Sequence, residues 1–243
     1  MGERKRADLL LVERGLFESR ARAQAAIEAG RVTANGKPVA KPSETIPEDA
    51  VIDAEPAHPW VSRGGVKLAG ALEQYPIEIE DHVCVDVGAS TGGFTEVLLN
   101  YGASLVYAID VGREQLHPSL RDNPKIISME ETDIRSLAGK RLEKRPDIVV
   151  IDVSFISLKH VLPAVLPLAA APMHLLALIK PQFEADRKHS KKGIVRDEAV
   201  HRAVCDDITE FVASLGCTDI KVFPSSITGG DGNTEFFLGA RRG

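Results

Sequence analysis

The sequence predicts an α/β protein in which a small α+β module precedes a doubly wound, seven-stranded, mostly parallel sheet. From Val83 onward, apolar runs typical of buried strands alternate with helical patterns, as in sheets built with crossover helices. Residues 83–99 begin as a β-branched run, break into small residues and resume at helical spacing, which indicates a strand, a glycine-rich turn and a helix. Residues 1–57 differ, with short helical patterns and the hairpin dipeptide Asn35-Gly36.

The amino-terminal module is predicted over residues 1–57. Ser19 suits the N-cap of its second helix and Gly30 the C-cap, because a serine oxygen accepts free N–H groups and glycine tolerates left-handed backbone. The expected elements are a helix from Ala7 to about Gly15, a helix over 20–29, strands over 32–34 and 38–39 on either side of the hairpin turn, and a strand over 50–53.

The net charge of −5 averages unlike segments. Residues 1–41 contain nine basic and five acidic side chains, whereas residues 42–57 contain five acidic side chains and no Lys or Arg. A basic segment with a folded pattern indicates binding to nucleic acid, and a merely solvated basic surface is the alternative.

The second domain is predicted over residues 65–243, after an aperiodic linker at 58–64. A helix through Leu72 is expected to lead into the sheet, and a long amphipathic helix over 195–215 to pack on it. The expected strands are 83–87, 105–109, 125–129, 147–151, 175–179, 220–223 and 235–239.

The glycine-rich turn indicates a cofactor. Its order, Gly88-x-x-x-Gly92-Gly93, lacks the middle glycine that a dinucleotide pyrophosphate requires. Asp86 precedes the turn, where a carboxylate suits a cationic or hydrogen-bond-donating ligand, and Asp110 ends the next strand, where it suits ribose hydroxyls. S-adenosylmethionine fits this pattern, and a tight turn in another α/β protein is the alternative. The expected cofactor-binding residues are Asp86, Gly88, Ala89, Ser90, Gly92, Gly93, Phe94, Asp110, Val111, Asp133 (for the adenine amino group) and Ile134.

Candidate catalytic side chains stand at the ends of predicted elements, where functional residues of such sheets lie. Singly, each has an ordinary explanation; Lys180, for example, suits a strand end that reaches water. Together, two amines and two carboxylates beside a cofactor cradle indicate a catalytic site. These residues are Lys67, Asp152, Lys180 and Glu235.

Two sets of motifs carry a resemblance to known families. Residues 18–36, from Glu18-Ser19-Arg20 to Asn35-Gly36, resemble the S4 RNA-binding domain. The four candidate catalytic residues resemble the Lys-Asp-Lys-Glu tetrad of the FtsJ-like RNA 2′-O-methyltransferases, and from end to end the chain resembles the TlyA (hemolysin A) family. The strings that support this are Val61-Ser62-Arg63-Gly64-Gly65-x-Lys67-Leu68, Asp152-Val153-Ser154-Phe155-Ile156-Ser157, Lys180-Pro181-Gln182-Phe183-Glu184 and Gly232-Asn233-x-Glu235.

The resemblance implies a class I (Rossmann-like) methyltransferase that uses S-adenosylmethionine to methylate ribose 2′-hydroxyls of ribosomal RNA, typically on cytidine, without a metal. We expect Lys180 to lie nearest the hydroxyl, and Asp152 and Glu235 to hold the lysines and the ribose. Phe155 and Phe183 are candidates to stack on a base, with a place in the core as the alternative. The basic residues 184–193 are predicted to form a loop that faces RNA, with a solvated surface loop as the alternative. The expected RNA-binding residues are Arg4, Arg6, Arg20, Arg22, Arg31, Lys37, Phe155, Lys188, Lys191 and Lys192.

Other classes of protein fit less well. The three cysteines form neither a disulfide framework nor a zinc motif, which favours a reducing cytoplasm. Residues 161–179 are apolar enough for a membrane span, but their prolines favour an interrupted helix, a turn and a buried strand. An RNA-binding protein without activity, a membrane-active haemolysin and an S4-bearing pseudouridine synthase are the alternative functions.

Overall fold

The computed structural model describes residues 3–190, 192–230 and 232–243. The chain divides into two units, Met1–Pro59 and Trp60–Gly243. In the part described, the smaller unit has a hydrophobic cluster of its own, and the larger unit has one cluster on each face of its sheet.

The amino-terminal unit packs two helices against short strands. Its elements are β1 (Arg4–Arg6), α1 (Ala7–Glu13), α2 (Arg20–Glu28), β2 (Val32–Ala34), β3 (Lys37–Pro38), β4 (Thr45–Pro47) and β5 (Ile52–Ala54). The strand β2 lies between β3 and β5, and β1 pairs with β4, all antiparallel. Ser19 caps α2 as predicted, since its hydroxyl accepts the N–H of Arg22 at 3.3 Å.

The predicted hairpin is present between β2 and β3. Asn35 and Gly36 both have positive φ, 51° and 73°, which is the backbone that a tight two-residue hairpin turn requires. The Asn35 side chain accepts the N–H of Val51 at 2.9 Å and so ties the turn to the segment before β5. The pairing of β1 with β4 was not predicted, because both strands are three residues long and show no apolar alternation.

Asp8, in the first turn of α1, is a fully buried carboxylate with 0% exposure. It accepts hydrogen bonds from Arg6 Nε at 3.0 Å, from Arg20 Nε at 2.8 Å and from Gln24 Nε2 at 2.8 Å. These bonds, led by that from Arg6, hold the pKa of Asp8 well below its usual range. A single carboxylate therefore joins β1, α1 and α2.

We expect Asp8→Asn to destabilise the amino-terminal unit by about 2–3 kcal/mol, because a neutral amide loses the charge-assisted hydrogen bonds from the two arginines. Since the folded-state pKa is depressed, the stabilisation is present above the unfolded-state pKa of about 3.9 and is lost progressively as the pH falls below it. Hydrogen exchange of the α1 and α2 amides in the full chain measures the effect, with exposed Asp53→Asn as the control. Equal protection of Asp8→Asn and the parent at neutral pH would contradict the account.

The carboxy-terminal unit contains the predicted sheet, and its fold class is confirmed. Its elements in chain order are α3 (Arg63–Gln74), β6 (Val83–Val87), α4 (Gly93–Asn100), β7 (Leu105–Ile109), α5 (Pro118–Arg121), β8 (Ile126–Met129), β9 (Ile148–Ile151), α6 (Leu158–Val165), β10 (Met173–Ile179), α7 (Pro181–Glu184), α8 (Glu198–Ser214), β11 (Thr218–Pro224) and β12 (Phe236–Arg242). In the described residues, seven strands form one sheet in the order β11-β12-β10-β9-β6-β7-β8.

The sheet order explains where a site can form. The strands β10, β9, β6, β7 and β8 pair in parallel, and the order reverses at β6, which lies between β9 and β7. Ligands of such sheets bind beyond the carboxyl ends of the strands at this reversal. The last strand, β12, is antiparallel to both of its neighbours, so its amino end lies at the same edge as the carboxyl ends of β10 and β11.

Residues 161–179 form the elements that their prolines predict. The helix α6 includes Pro163 and ends at Val165, a short 3-10 turn follows, and β10 is buried along most of its length. Among the residues described, no helix combines the length and the apolar content that a membrane crossing requires.

Candidate active site

The carboxyl edge of the sheet carries two buried ion pairs. Lys67, in the second turn of α3, places Nζ 2.5 Å from Oε2 of Glu235, directly before β12. Lys180, directly after β10, places Nζ 2.5 Å from Oδ1 of Asp152, directly after β9. The structure therefore arranges the four predicted catalytic residues as two lysine–carboxylate pairs at this edge.

Three of these four residues are buried, and the fourth, Asp152, is partly buried with 19% of its side chain exposed. Each lysine is 8% exposed and Glu235 is 3% exposed. A buried charge without a partner is strongly unfavourable, so each lysine depends on its carboxylate. Gln182, two residues after Lys180, donates from Nε2 to Oε1 of Glu235 at 3.4 Å. This hydrogen bond connects the segment after β10, which carries Lys180, to the Lys67–Glu235 pair.

Lys180 has a second partner that the sequence did not single out. Its Nζ donates to the Ser154 hydroxyl at 3.0 Å, whereas its contact with Asp152 has the distance of an ion pair without hydrogen-bond geometry. Ser154 stands two residues after Asp152 in the same loop, and that proximity to a strand end is the signal that could have identified it.

The glycine turn after β6 touches the loop that holds Asp152. Gly88 has φ +86°, and a Cβ at this position would lie 2.3 Å from the carbonyl oxygen of Asp152. Only glycine fits both the left-handed backbone and this close approach. The turn and the loop that holds Asp152 are therefore held in contact through their backbones.

A cleft of about 390 Å³ lies between this turn and the ends of β7 and β9. Asp110 lines it, and its carboxylate accepts the N–H groups of Ser90 at 2.8 Å and Gly112 at 2.7 Å. Asp133 also lines it and is paired with Arg135 at 2.6 Å, whose hydrogen bond lowers the pKa of Asp133. The predicted cofactor residues that line the cleft are Gly88, Ser90, Asp110, Val111, Asp133 and Ile134.

The other predicted cofactor residues, Asp86, Ala89, Gly92, Gly93 and Phe94, are not among the residues that line the cleft. Phe94 is 3% exposed and stacks on Phe237 in the core, with ring centroids 6.1 Å apart, because it falls on the inner face of α4. Gly93 faces the start of α3, where a Cβ would lie 2.2 Å from Ser62 Oγ.

Phe155 projects from the rim of the cleft. It is 89% exposed, and its φ of +64° is unusual for a residue with a large side chain. Its ring contacts the ring of Phe183, with centroids 4.8 Å apart. Strained backbone of this kind persists where the surroundings hold it and is frequent at ligand sites.

The predicted RNA-binding basic residues are in different situations. In the amino-terminal unit, Arg6 and Arg20 hold Asp8 and Arg31 pairs with Glu55 at 3.4 Å, whereas Lys37 is exposed on β3. Arg4 donates to the carbonyl of Thr45, and Arg22 lies on α2. In the other unit, Lys188 pairs with Asp186 at 3.2 Å, Lys192 is exposed, and Lys191 lies outside the described residues.

Asp86 lies in β6 beneath the glycine turn and is fully buried, with 0% exposure. Its Oδ2 accepts the hydroxyl of Thr95 at 2.7 Å, and its Oδ1 has no hydrogen-bond partner among the residues described. Burial is the largest cause that raises the pKa of Asp86 to about 7, and the bond from Thr95 opposes it.

Known proteins resemble the chain over nearly its whole length. The FtsJ-like methyltransferase family matches residues 60–242, and the S4 domain matches residues 5–52. The 16S/23S rRNA (cytidine-2′-O)-methyltransferase TlyA of Mycobacterium tuberculosis strain H37Rv is 42% identical over 246 residues, which covers 99% of this chain and 91% of that protein. A solved protein of Streptococcus thermophilus with a provisional hemolysin name is 39% identical with a TM-score of 0.77, over 100% of this chain and 90% of that one.

A more distant structure shows the fold alone. The magnesium protoporphyrin IX methyltransferase of Synechocystis PCC 6803, solved with bound SAH, is 15% identical with a TM-score of 0.52, over 74% of this chain and 84% of that one. The unit Trp60–Gly243 thus has the Rossmann-like fold of S-adenosylmethionine-dependent methyltransferases.

We expect Asp86→Asn to stabilise the chain above pH 7. Because the folded-state pKa is raised to about 7, folding favours the protonated carboxyl, and stability decreases as the pH rises from the unfolded-state pKa of about 3.9 towards that value. Asparagine keeps an acceptor for Thr95 and cannot ionise, so the variant should gain on the order of 3 kcal/mol at pH 8.

Urea unfolding between pH 5 and pH 8, without added ligand, measures this difference. Asp206→Asn, which removes an exposed acid on α8, is the control and should follow the parent at every pH. An Asp86→Asn variant that is less stable than the parent at pH 8 would show that the carboxylate is stabilised in the folded chain.

Proposed function

The chain belongs to the FtsJ-like methyltransferase family, and we propose that it methylates the 2′-hydroxyl of a cytidine ribose in ribosomal RNA, with S-adenosylmethionine as the methyl donor. The observation that carries the proposal is the pair of buried lysine–carboxylate contacts beside a cleft of nucleoside size. The M. tuberculosis relative is named for this reaction. Ribosomal RNA, alone or in ribosomal subunits, is the partner that we propose, which places the protein in the cytoplasm.

The cleft beside Gly88 fits S-adenosylmethionine. Its volume of about 390 Å³ lies within the range of small-ligand sites. We assign the ribose hydroxyls of the cofactor to Asp110 and its adenine amino group to Asp133, because both carboxylates line the cleft. Asp86 supports the turn from below rather than lining the cleft. When bound, the cofactor supplies an electrophilic methyl group on a sulfonium.

Lys180 takes the proton of the ribose hydroxyl in this proposal. A 2′-hydroxyl keeps its proton at neutral pH and is a weak nucleophile, so a base must be positioned against it. Asp152 Oδ1 and Ser154 Oγ lie 2.5 Å and 3.0 Å from Lys180 Nζ. To act as the base, Lys180 must first give up one of its three ammonium protons. The amine that results has two N–H groups near these oxygens and one lone pair that takes the hydroxyl proton, and the ion pair with Asp152 forms again once that proton is bound.

The second ion pair positions the other side of the ribose. Lys67 holds one oxygen of Glu235, and Gln182 donates to the other, so this carboxylate has little freedom to rotate. We assign Glu235 to the orientation of the ribose. Positioning of this kind matters because methyl transfer is an in-line displacement, whose rate depends on alignment.

Phe155 completes the RNA side of the site. Its exposed ring at the rim of the cleft is placed to stack on the target base once that base leaves its neighbours. The S4 domain, with its basic residues, is the second RNA-binding element that we propose.

We expect Lys180→Ala to lower the rate of methyl transfer by about a hundred- to ten-thousand-fold, the usual contribution of a general base. Binding of S-adenosylmethionine should change by less than about threefold, because Lys180 is not among the residues that line the cofactor cleft. Single-turnover transfer of labelled methyl to unmodified ribosomal RNA and calorimetry with the cofactor measure the two quantities.

Lys159→Ala is the matched control for Lys180→Ala. Lys159 forms an ion pair with Asp207 at 2.6 Å on the outer surface of α6 and α8, so its removal should leave the rate unchanged. A Lys180→Ala variant that turns over like the Lys159→Ala variant would remove Lys180 from the mechanism.

Ser154→Ala should lower the single-turnover rate about tenfold, the effect of losing one hydrogen bond to a charged or reacting group. The KM for RNA should stay within about threefold of the parent value, because the lost bond orients Lys180. Ser154 also lines the cofactor cleft, so the rate is measured at saturating S-adenosylmethionine. Ser104→Ala, which removes a hydroxyl that donates to His82 at 2.9 Å, is the control. A loss confined to KM would assign Ser154 to RNA binding instead.

A further inference from the structure

A second cleft of about 800 Å³, which we call the flank cleft, lies outside the site described above. It is formed by the amino-terminal part of α8, the end of β11 and the start of β12. Its volume is roughly twice that of the cofactor cleft of about 390 Å³. Its lining includes Arg196, His201, Arg202, Thr234 and Phe236.

The flank cleft lies at the same edge of the sheet as the two ion pairs. Because β12 is antiparallel to β10 and β11, its amino end meets their carboxyl ends there. Thr234 and Phe236, which line the flank cleft, stand on either side of Glu235 in the chain. Glu235 faces Lys67 of α3, whereas Phe236 packs on the cluster beneath α8. The flank cleft and the ion pairs are therefore adjacent and on opposite faces of β12.

Two arginines give the flank cleft its charge. Arg196 and Arg202 are both exposed, and the guanidinium group of neither forms a hydrogen bond or ion pair with the residues that the structure describes. Among the residues that the structure describes, one acidic residue, Glu198, also lines the cleft. Guanidinium groups without internal partners are free to bind phosphates, and they do so with two parallel hydrogen bonds.

His201 and Phe236 form an aromatic floor of the flank cleft, and His201 is held in place by its contacts. His201 is buried, its Nε2 contacts the carbonyl of Val195 at 3.0 Å, and its ring meets that of Phe236 edge-on at 5.6 Å. A positively charged groove with an aromatic floor is the common design of surfaces that bind single-stranded nucleic acid without reading its sequence.

We propose that the flank cleft binds the backbone of single-stranded RNA next to the target nucleotide, with Arg196 and Arg202 on its phosphates. The proposal rests on the function proposed above, because it needs an RNA strand at the reacting edge of the sheet. A nucleotide must leave its helix to present its 2′-hydroxyl to a recessed site, and its neighbours are then also unpaired. The flank cleft provides a place for such neighbours beside Glu235.

The test compares RNA binding by Arg196→Gln/Arg202→Gln with that of the parent, using unmodified 16S ribosomal RNA transcript between about 50 and about 200 mM salt. Each phosphate contact on a single strand contributes about 0.7 to the slope of log affinity against log salt, so the double variant should lower the slope by about 1.4. Affinity should fall about tenfold near 100 mM salt, and S-adenosylmethionine binding, measured without RNA, should be unchanged.

Two further variants separate charge from folding. Lys140→Gln/Arg141→Gln removes the same charge from exposed positions before β9, at the opposite edge of the sheet, and should keep the parent slope. Arg196→Lys/Arg202→Lys keeps the charge and should recover most of the slope. An Arg196→Gln/Arg202→Gln variant with the parent RNA affinity and the parent salt slope would overturn the proposal, because it would show that these arginines do not contact RNA phosphates.

The failure of this proposal is distinguishable from failure of the proposed function. A parent protein that binds no S-adenosylmethionine and transfers no methyl refutes the function, whatever the salt slopes are. A parent protein that methylates ribosomal RNA while the arginine variant keeps its RNA affinity refutes the flank cleft alone.

Discussion

The pairing of buried charges at the carboxyl edge of the sheet is the constraint on which the rest of the site depends. Lys67 and Glu235 are 168 residues apart in the chain and lie 2.5 Å apart in space. Neither amine can be buried without its carboxylate, since an unpaired ion in the interior is destabilising by several kcal/mol. The pairs therefore form only when α3, β9, β10 and β12 have all reached their places, and the arrangement of these four residues is a consequence of the completed fold.

The loops around the pairs are fixed by further contacts. The Glu184 carboxylate, at the end of α7, accepts the N–H of Leu158 at 2.8 Å and the hydroxyl of Ser157, so the segment after Lys180 is tied to the segment after Asp152. Gly88, in the turn beside the cofactor cleft, contacts the backbone of Asp152 and so fixes the segment after β9 from that side as well. A reaction that depends on alignment gains from such rigidity, because the reacting groups are held before the substrate arrives.

Much of the fold could be predicted because its strands are buried on both faces. Runs such as Ile148–Ile151 have no solvent-facing side and so stand out in the sequence as continuous β-branched segments. The strands β1 and β4 escaped prediction because both are short and only partly buried, and because β1 is entirely basic while β4 is Thr-Ile-Pro. The four tetrad residues were found from their positions at strand ends and from the family resemblance, whereas their division into two pairs is a property of the tertiary structure.

Side-chain partners were the least predictable part of the site. Arg6 and Arg20 read as free basic residues in the sequence, but a buried carboxylate at Asp8 holds both, which only the packing of α1 on α2 reveals. Phe94 follows the glycine turn and was expected at the cofactor, yet its place on the inner face of α4 puts it in the core. Ser154 carries no charge, and although it lies in the string that follows Asp152, its role is indicated by its contact with Lys180.

The position of the transferred methyl group tests the account most directly. The protein is incubated with unmodified ribosomal RNA and S-adenosylmethionine that carries an isotopically labelled methyl, and the digested nucleosides are identified by mass spectrometry. The roles proposed for the two ion pairs beside the cofactor cleft predict that the label appears as 2′-O-methylcytidine. Label on a nucleobase, or no label from a protein that binds both cofactor and RNA, would contradict the assignment of Lys180 and its partners to a ribose hydroxyl.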